Sequence, residues 1–283
     1  IFVFHDDIFQ KLDCYQRFED MSRWKGKIVS GSGARILTAV ANSAYNRDDW
    51  LSLSSRSHLK DFSINLEDES EENAVMTGEI SVMAGQGNSP ASELALRPLS
   101  SEVVLRSISC DFTGKPYSGK RLTDVKVYLT NVNAEIPILE DEEGGPRRII
   151  NAGGLCEEEV DAFACRDIIV QNIRNGIGKS VIYPDIRLRC YRNEGIKESP
   201  GTPFTRLVIE GMLDGELYYW PIDINRDADS HEYGVLGGHR YIYDIKITRK
   251  GSSDPDIPVR TEDFVISQKI AEWREKENYA VVF

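Results

Sequence analysis

Tyr241-Ile-Tyr-Asp-Ile-Lys-Ile-Thr248 alternates without a break: positions 241, 243, 245 and 247 are large and apolar or aromatic, and 244, 246 and 248 are polar. A period of two is the signature of a β-strand with one face on a core and one in water. Lys250-Gly-Ser-Ser-Asp-Pro-Asp-Ile-Pro258 follows at once, rich in the residues that supply turn geometry. The chain then closes with Trp273, the charged run Arg274-Glu-Lys-Glu277 and the apolar end Tyr279-Ala-Val-Val-Phe283.

Outward from this strand the same period recurs at Ile1 to Phe4, Ile36 to Ala41, Met76 to Met83, Glu102 to Phe112, Val125 to Leu129, Ile186 to Cys190, Phe204 to Met212 and Leu217 to Trp220. Val125, Val127 and Leu129 oppose Lys126, Tyr128 and Thr130, the two-faced pattern of an antiparallel sheet. Helical periodicity is confined to Cys156 to Ile169, with Glu157, Glu158 and Glu159 in the first turn, and to a short stretch after Asp48 that includes Leu53 to Leu59. Glu140-Asp-Glu-Glu-Gly-Gly-Pro-Arg-Arg148 reads as a linker. The expectation is an all-β chain of two tandem Greek-key, transthyretin-like β-sandwich domains with one or two short helices. The domains would span 1–139 and 149–283, joined by the acidic linker 140–148.

The formal charge of 34 basic against 46 acidic residues is -12, which repels a phosphate backbone and argues against nucleic acid as a partner. No run approaches the roughly 18 apolar residues that span a bilayer, and Ile1 in place of Met implies a preceding segment. Cys14, Cys110, Cys156, Cys165 and Cys190 form no Cys-x-x-Cys or Cys/His ligand pair, and five is an odd number. They read as small, mostly buried thiols. A bridge between Cys156 and Cys165 would have to span about 13 Å if the segment between them were helical.

Chemistry is sparse. Asp223, Asn225, Asp227 and Asp229 imitate the opening of a calcium loop, but Ala228 stands where glycine is needed and Gly234 where a bidentate glutamate is needed. A solvated turn is the better account, and Asx turns account for Asp254 and Asp256 beside their prolines. His5, His58, His231 and His239 are scattered and assemble neither a metal cluster nor a nucleophile triad. Asp6-Asp7, Glu71-Glu72 and Glu157 to Glu159 supply carboxylate pairs, as any chain with 46 acids would. Gly31-Ser-Gly33 and Gly85-Gln-Gly87 do not complete a phosphate cradle. Trp24, Trp50, Trp220 and Trp273 with Tyr218, Tyr219, Tyr241 and Tyr243 fit core positions better than a sugar-stacking platform. The expectation is no catalytic residue, no metal and no cofactor.

The order Arg240-Tyr241, Arg249-Lys-Gly251, Asp254-Pro-Asp-Ile-Pro258 and Trp273 resembles the C-terminal end of the fimbrillin-type surface proteins of the Bacteroidales. The N-terminal half is similar to the same family. Ile1-Phe-Val-Phe4 with Asp6-Asp7 resembles its first strand and turn, and Ala39-Val-Ala-Asn42 a strand ending in Ala-Asn. Leu96-Arg-Pro-Leu99 through Leu105 resembles the strand that enters the second half of that domain. Leu122-Thr-Asp-Val-Lys-Val-Tyr-Leu-Thr-Asn-Val132, Thr205-Arg-Leu-Val-Ile-Glu-Gly211 and Tyr218-Tyr-Trp-Pro-Ile-Asp-Ile224 extend the likeness over most of the chain. Within the superfamily the chain looks most like the FimB-type anchor or accessory proteins.

The resemblance implies a non-enzymatic component of a cell-surface fimbria at the outer membrane, exported as a lipoprotein and supporting adhesion. Its partners would be other fimbrial subunits, joined by donor-strand insertion, together with host or bacterial surface ligands. Membrane contact would come only through a lipid anchor that this chain lacks. A sheet edge at Ile1, Phe2, Val3 and Phe4 and the tail residues Tyr279, Val281, Val282 and Phe283 are the expected subunit contacts. The rival expectation is a glycan-binding outer-surface lipoprotein with no role in assembly, which would present an exposed row of tryptophans.

Overall fold

The computed structural model of the chain describes residues 1–18, 27–85, 93–139, 145–226 and 233–258, and the backbone of Phe264–Glu272. These residues divide into two compact units that do not follow chain order. One holds Ile1–Ile64, Glu72–Leu99 and the stretch opening at Ile136; the other holds Asn65–Glu71, Ser100–Glu135 and the described chain from Gly145 onward.

In the first unit, β1 (Phe2–His5), β2 (Leu12–Tyr15), β3 (Gly33–Ala41), β5 (Met76–Ala84) and β6 (Arg97–Pro98) form one antiparallel sheet in the order β2-β1-β3-β5-β6. The short strand β4 (Ser63–Asn65) stands outside it. Phe2, Val3 and Phe4 are all buried, so β1 is apolar on both faces, unlike an exposed strand. Phe2 meets Trp50 edge-on at 5.0 Å and stacks on Tyr15 at 5.1 Å. Trp50 in turn packs on Phe62 at 4.8 Å. Two 3₁₀ turns, Asp49–Ser52 and Arg56–Asp61, bring Trp50 and Leu59 into this core. Burying side chains of this size stabilises by about 1.5–3 kcal/mol each.

The second unit contains two four-stranded sheets. Its strands are β7 (Ser101–Cys110), β8 (Thr123–Thr130), β9 (Val132–Asn133), β11 (Ile149–Ile150), β12 (Val170–Ile173), β13 (Ile186–Cys190), β14 (Arg206–Leu213), β15 (Glu216–Asp223), β16 (His239–Ile247) and β17 (Phe264–Glu272). β10 (Glu135–Pro137) pairs with β4, and β9 with β11. The two main sheets run β12-β8-β14-β15 and β13-β7-β16-β17. Lettered A to H in chain order, omitting the short β9, β10 and β11, they read C-B-E-F and D-A-G-H, the transthyretin Greek key. The parallel pairing of β7 with β16 among otherwise antiparallel neighbours is part of that topology. Tyr241, Tyr243, Ile245 and Ile247 all face the core, as the alternation in β16 requires, beside Val103, Leu105, Val127, Leu129, Leu207 and Trp220.

Three expectations need correction. First, the division at 140–148 does not separate the units, because Ser100–Glu135 carries β7 and β8, which supply the A and B strands of the second sandwich. Residues 140–144 lie outside the described residues. Second, the helix expected over Cys156 to Ile169 is a single turn, Glu157–Val160, followed by a 3₁₀ turn, Arg166–Ile168. The Phe163 N–H falls back to Val160 O, and the Ala164 N–H is taken by Glu67 O at 3.0 Å, so the ladder stops. Third, Tyr128 and Thr130 are buried rather than solvated. The Tyr128 hydroxyl donates to Glu210 at 3.1 Å. The returning segment lies along β8, with Asn151 Nδ2 donating to Leu129 O and the Leu129 N–H to Ile169 O.

Candidate functional site

The property that the sequence points to is strand pairing, so the relevant site is the set of sheet edges and what covers each one. An uncovered edge is a row of unpaired backbone donors and acceptors, ready to take another chain. Ile1 to Phe4 is not such an edge. β1 pairs with β2 on one side and with β3 on the other, through Phe2↔Tyr15 and Phe2↔Thr38, so it is an interior strand. The expectation of an open edge at Ile1, Phe2, Val3 and Phe4 is therefore corrected: the backbone of β1 is engaged on both flanks and three of the four side chains are buried. Tyr279, Val281, Val282 and Phe283 lie outside the described residues, as do Trp24, His231 and Trp273.

In the second unit, β15 is the edge of its sheet, and the turn after β16 covers its middle. The Ser252 N–H donates to Tyr219 O at 2.8 Å, and the Tyr219 N–H donates back to Ser252 O at 2.9 Å. Trp220 Nε1 donates to Arg249 O at 3.1 Å. Gly251 is the residue that lets the turn approach so closely. A Cβ there would stand 2.2 Å from Tyr219 O and 2.9 Å from the Trp220 ring. The rest of the turn is held by its own side chains. Asp254 Oδ1 accepts the Asp256 N–H at 2.8 Å, an Asx turn, and the Asp254 N–H goes to Ser252 Oγ. Asp256 accepts from Asn131 Nδ2 at 2.8 Å and pairs with Arg206.

Arg206 is the hub behind this edge. Its guanidinium is almost fully buried and meets Asp223 at 2.7 Å, Glu198 at 2.8 Å and Asp256. Burial opposes its charge, yet the three carboxylates outweigh that cost and raise its pKa. Asp223 is pushed up, by burial first, with Arg206 pulling the other way. Asp223 is thus spent on Arg206, and Asn225 is buried with Nδ2 donating to Gly234 O at 3.0 Å, so neither is arranged as a calcium ligand. Asp227 and Asp229 lie outside the described residues, and among the described ones no three His, Cys, Asp or Glu side chains converge as a metal site.

β17 contrasts with β15. It spans nine residues and pairs along its whole length with β16, from His239↔Glu272 to Ile247↔Phe264. On its other side no strand pairs with it among the described residues. The remaining edges are short: four residues in β2, two in β6, four in β12 and five in β13.

Among the aromatics considered for a sugar platform, Trp50, Trp220, Tyr241 and Tyr243 are buried and Tyr218 and Tyr219 half-buried, so no exposed tryptophan row exists among the described residues. The five cysteines are free. Burial pushes the Cys110 and Cys190 thiols up to about 12. No helix among the described residues is long and apolar enough to cross a membrane.

A further group went unread in the sequence. Glu69 is fully buried and accepts from Ser100 Oγ at 2.8 Å and from the Tyr191 hydroxyl at 3.1 Å, with the Arg189 guanidinium at 3.5 Å. Arg189 also donates to Ser70 O and Glu71 O, which fixes Asn65–Glu71 within the second unit. The strand-free stretch Glu67-Asp-Glu-Ser-Glu-Glu72 looks like a solvated acidic run, and nothing local marks Glu69 for burial.

Edges managed in this way, on a transthyretin-type Greek key beside a unit built around a five-stranded antiparallel sheet, define the chain as an all-β protein of the fimbrillin fold. Solved structures with this fold include proteins described as cell adhesion and fimbrial proteins. A candidate cell adhesion protein of Bacteroides eggerthii superposes with a TM-score of 0.70 at 17% identity, over 96% of this chain and 88% of its own. The fimbrilin FimA of Porphyromonas gingivalis W83 gives 0.63 at 14% identity, over 96% and 90%. The tip fimbrial protein Mfa3 of Porphyromonas gingivalis, in a C-terminally truncated form, gives 0.57 at 14%, over 96% and 92%. At such identities the likeness establishes the shared fold. No family model and no curated protein matches the chain.

Proposed function

We propose that the chain is a structural, non-enzymatic subunit of a Bacteroidales cell-surface fimbria, of the anchor or accessory type, which joins its neighbours by β-strand addition and supports adhesion. The observation that carries this is the match of fold over 96% of the chain to FimA and Mfa3. Location at the outer membrane through a lipid anchor belongs to the same proposal. The nine-residue β17 supports the strand-addition step, because its outer side has no partner among the described residues while β15, the comparable edge, is covered. A partner strand that buries about five apolar side chains gains on the order of 10 kcal/mol gross, before the cost of ordering it. The tail Tyr279 to Phe283 is the second contact proposed; Ile1 to Phe4 acts from within the sheet, as the strand on which β2 and β3 are built.

The test is deletion of Asn278 to Phe283, followed by a fimbria assembly assay on cells. Loss of polymer with the truncated chain still folded supports a role for the tail. Unchanged polymer yield refutes that role.

A further inference from the structure

The chain contains one Asn-Gly step, Asn175-Gly176. It lies where β12 leaves β8. Ile173 is paired with Val125, and Ile177 exchanges both backbone bonds with Leu122, at 2.8 and 2.9 Å. Between these pinned points Arg174, Asn175 and Gly176 oppose only Thr123 and Asp124, so the connection carries an extra residue, as a β-bulge does. Close approach favours glycine at 176: a Cβ there would press on the backbone oxygen of Leu122 at 3.1 Å. Gly176 O in turn accepts from the Arg121 guanidinium.

The extra residue leaves both reacting groups free. Asn175 is exposed, and neither its side-chain amide nor the Gly176 N–H has a hydrogen-bond partner among the described residues. The buried asparagines differ: Asn131, Asn133, Asn151, Asn193 and Asn225 each donate through Nδ2 to a backbone carbonyl. At the Asn-Gly step the deprotonated Gly176 nitrogen can attack Asn175 Cγ. The bond from Cγ to Nδ2 breaks, ammonia leaves and a succinimide closes. Water then opens the ring at one carbonyl or the other, giving an aspartyl or an isoaspartyl linkage, with no oxidant or reductant required. A side chain after the asparagine would crowd the attacking nitrogen, and glycine has none. The Arg121 guanidinium on Gly176 O sets a positive charge near the nitrogen that must become anionic, which favours its deprotonation.

We propose that Asn175-Gly176 is a self-modifying site, at which the folded chain deamidates Asn175 and the isoaspartyl product loosens the Leu122–Ile177 bridge. The isoaspartyl linkage runs the main chain through Cβ and Cγ, and so inserts one more backbone atom between the two pinned pairs. The site lies within the second unit and does not depend on the assembly role. The purified full chain is held folded at neutral and at mildly alkaline pH for weeks, then followed by peptide mass mapping and by labelling with an isoaspartyl methyltransferase. The peptide that carries Asn175 is expected to show the mass gain of NH₂ replaced by OH at least about tenfold faster than any other asparagine peptide. The rate should rise with pH, because the attacking nitrogen must lose its proton. Asn175→Gln should abolish the label and leave the melting temperature unchanged, since the Asn175 side chain has no hydrogen bond to lose. In the labelled fraction the Leu122 and Ile177 N–H groups should exchange with solvent faster than in the fresh chain. No mass gain at Asn175, an earlier gain at another asparagine, or a label that persists in Asn175→Gln would each overturn the site. Unchanged exchange at Leu122 and Ile177 would overturn the loosening of the bridge.

Discussion

Gly251→Ala tests the account of the covered edge most directly. The added methyl would sit 2.2 Å from Tyr219 O, well inside any real carbon–oxygen contact, and the obstacle is backbone rather than a side chain that can swing away. Two responses are open. The turn can stay and strain, an overpacking that costs about 1–3 kcal/mol. Otherwise it lifts and breaks the Ser252–Tyr219 pair of backbone bonds, worth about 0.5–1.5 kcal/mol each, together with the Trp220 bond to Arg249 O. Either route predicts a loss of about 2 kcal/mol. At roughly 2–4 °C per kcal/mol for domains of this size, the melting temperature should fall by about 4–8 °C. Gly201→Ala is the matched control, because a Cβ there meets nothing within 4 Å; it should be neutral or slightly stabilising, since alanine narrows the unfolded ensemble. Differential scanning calorimetry of the three proteins measures both effects. Equal melting temperatures for Gly251→Ala and the parent would refute the close approach of the turn to β15. If the turn lifts, the mutant should also self-associate, through the edge that Ser252 no longer covers.

Tyr191→Phe removes one donor from fully buried Glu69 and should cost about 1.5–3 kcal/mol, read as a lowered melting temperature; no change would mean that Ser100 and Arg189 alone satisfy the carboxylate. Cys110 and Cys190, with thiols held near 12 by burial, should resist maleimide at pH 8 in the native chain and react on unfolding; quantitative native labelling of either, located by peptide mass mapping, would contradict their placement in the core.

The strands that were legible in sequence are those with one uniform neighbour on each face. β16 declares itself because Tyr241, Tyr243, Ile245 and Ile247 meet core and the intervening residues do not. β8 was half-legible: Val125, Val127 and Leu129 read correctly, whereas Tyr128 and Thr130 look solvent-facing until Ile149–Ile169 returns across them, a non-local event with no trace in the local pattern. β2 and β12 are four residues each, Leu12-Asp-Cys-Tyr15 and Val170-Gln-Asn-Ile173, too short to show a period. β17 reads Phe-Val-Ile-Ser-Gln-Lys-Ile-Ala-Glu, an apolar block followed by polar residues rather than an alternation. The division into units was illegible for a related reason. Composition marks 140–148 as a break, but membership of a sheet is decided by pairing, and β7 pairs with a strand that begins at His239.

The same distinction between pattern and pairing governs the functional residues. The resemblance implies an edge at Ile1 to Phe4, yet three consecutive buried residues, Phe2, Val3 and Phe4, mark burial on both faces, and a strand buried in that way belongs inside a sheet. Edges must be sought instead where the sequence spends residues on covering them. The Lys250–Pro258 turn is such an expenditure: Gly251 for clearance, Ser252 for the two backbone bonds, Asp254 for the Asx turn and Asp256 for the Arg206 hub. An exposed turn that needed only to reverse the chain would require none of that side-chain specificity. β15 is therefore the edge that this fold covers with a turn of its own, whereas β17 pairs with β16 on one side and with no strand on the other among the described residues.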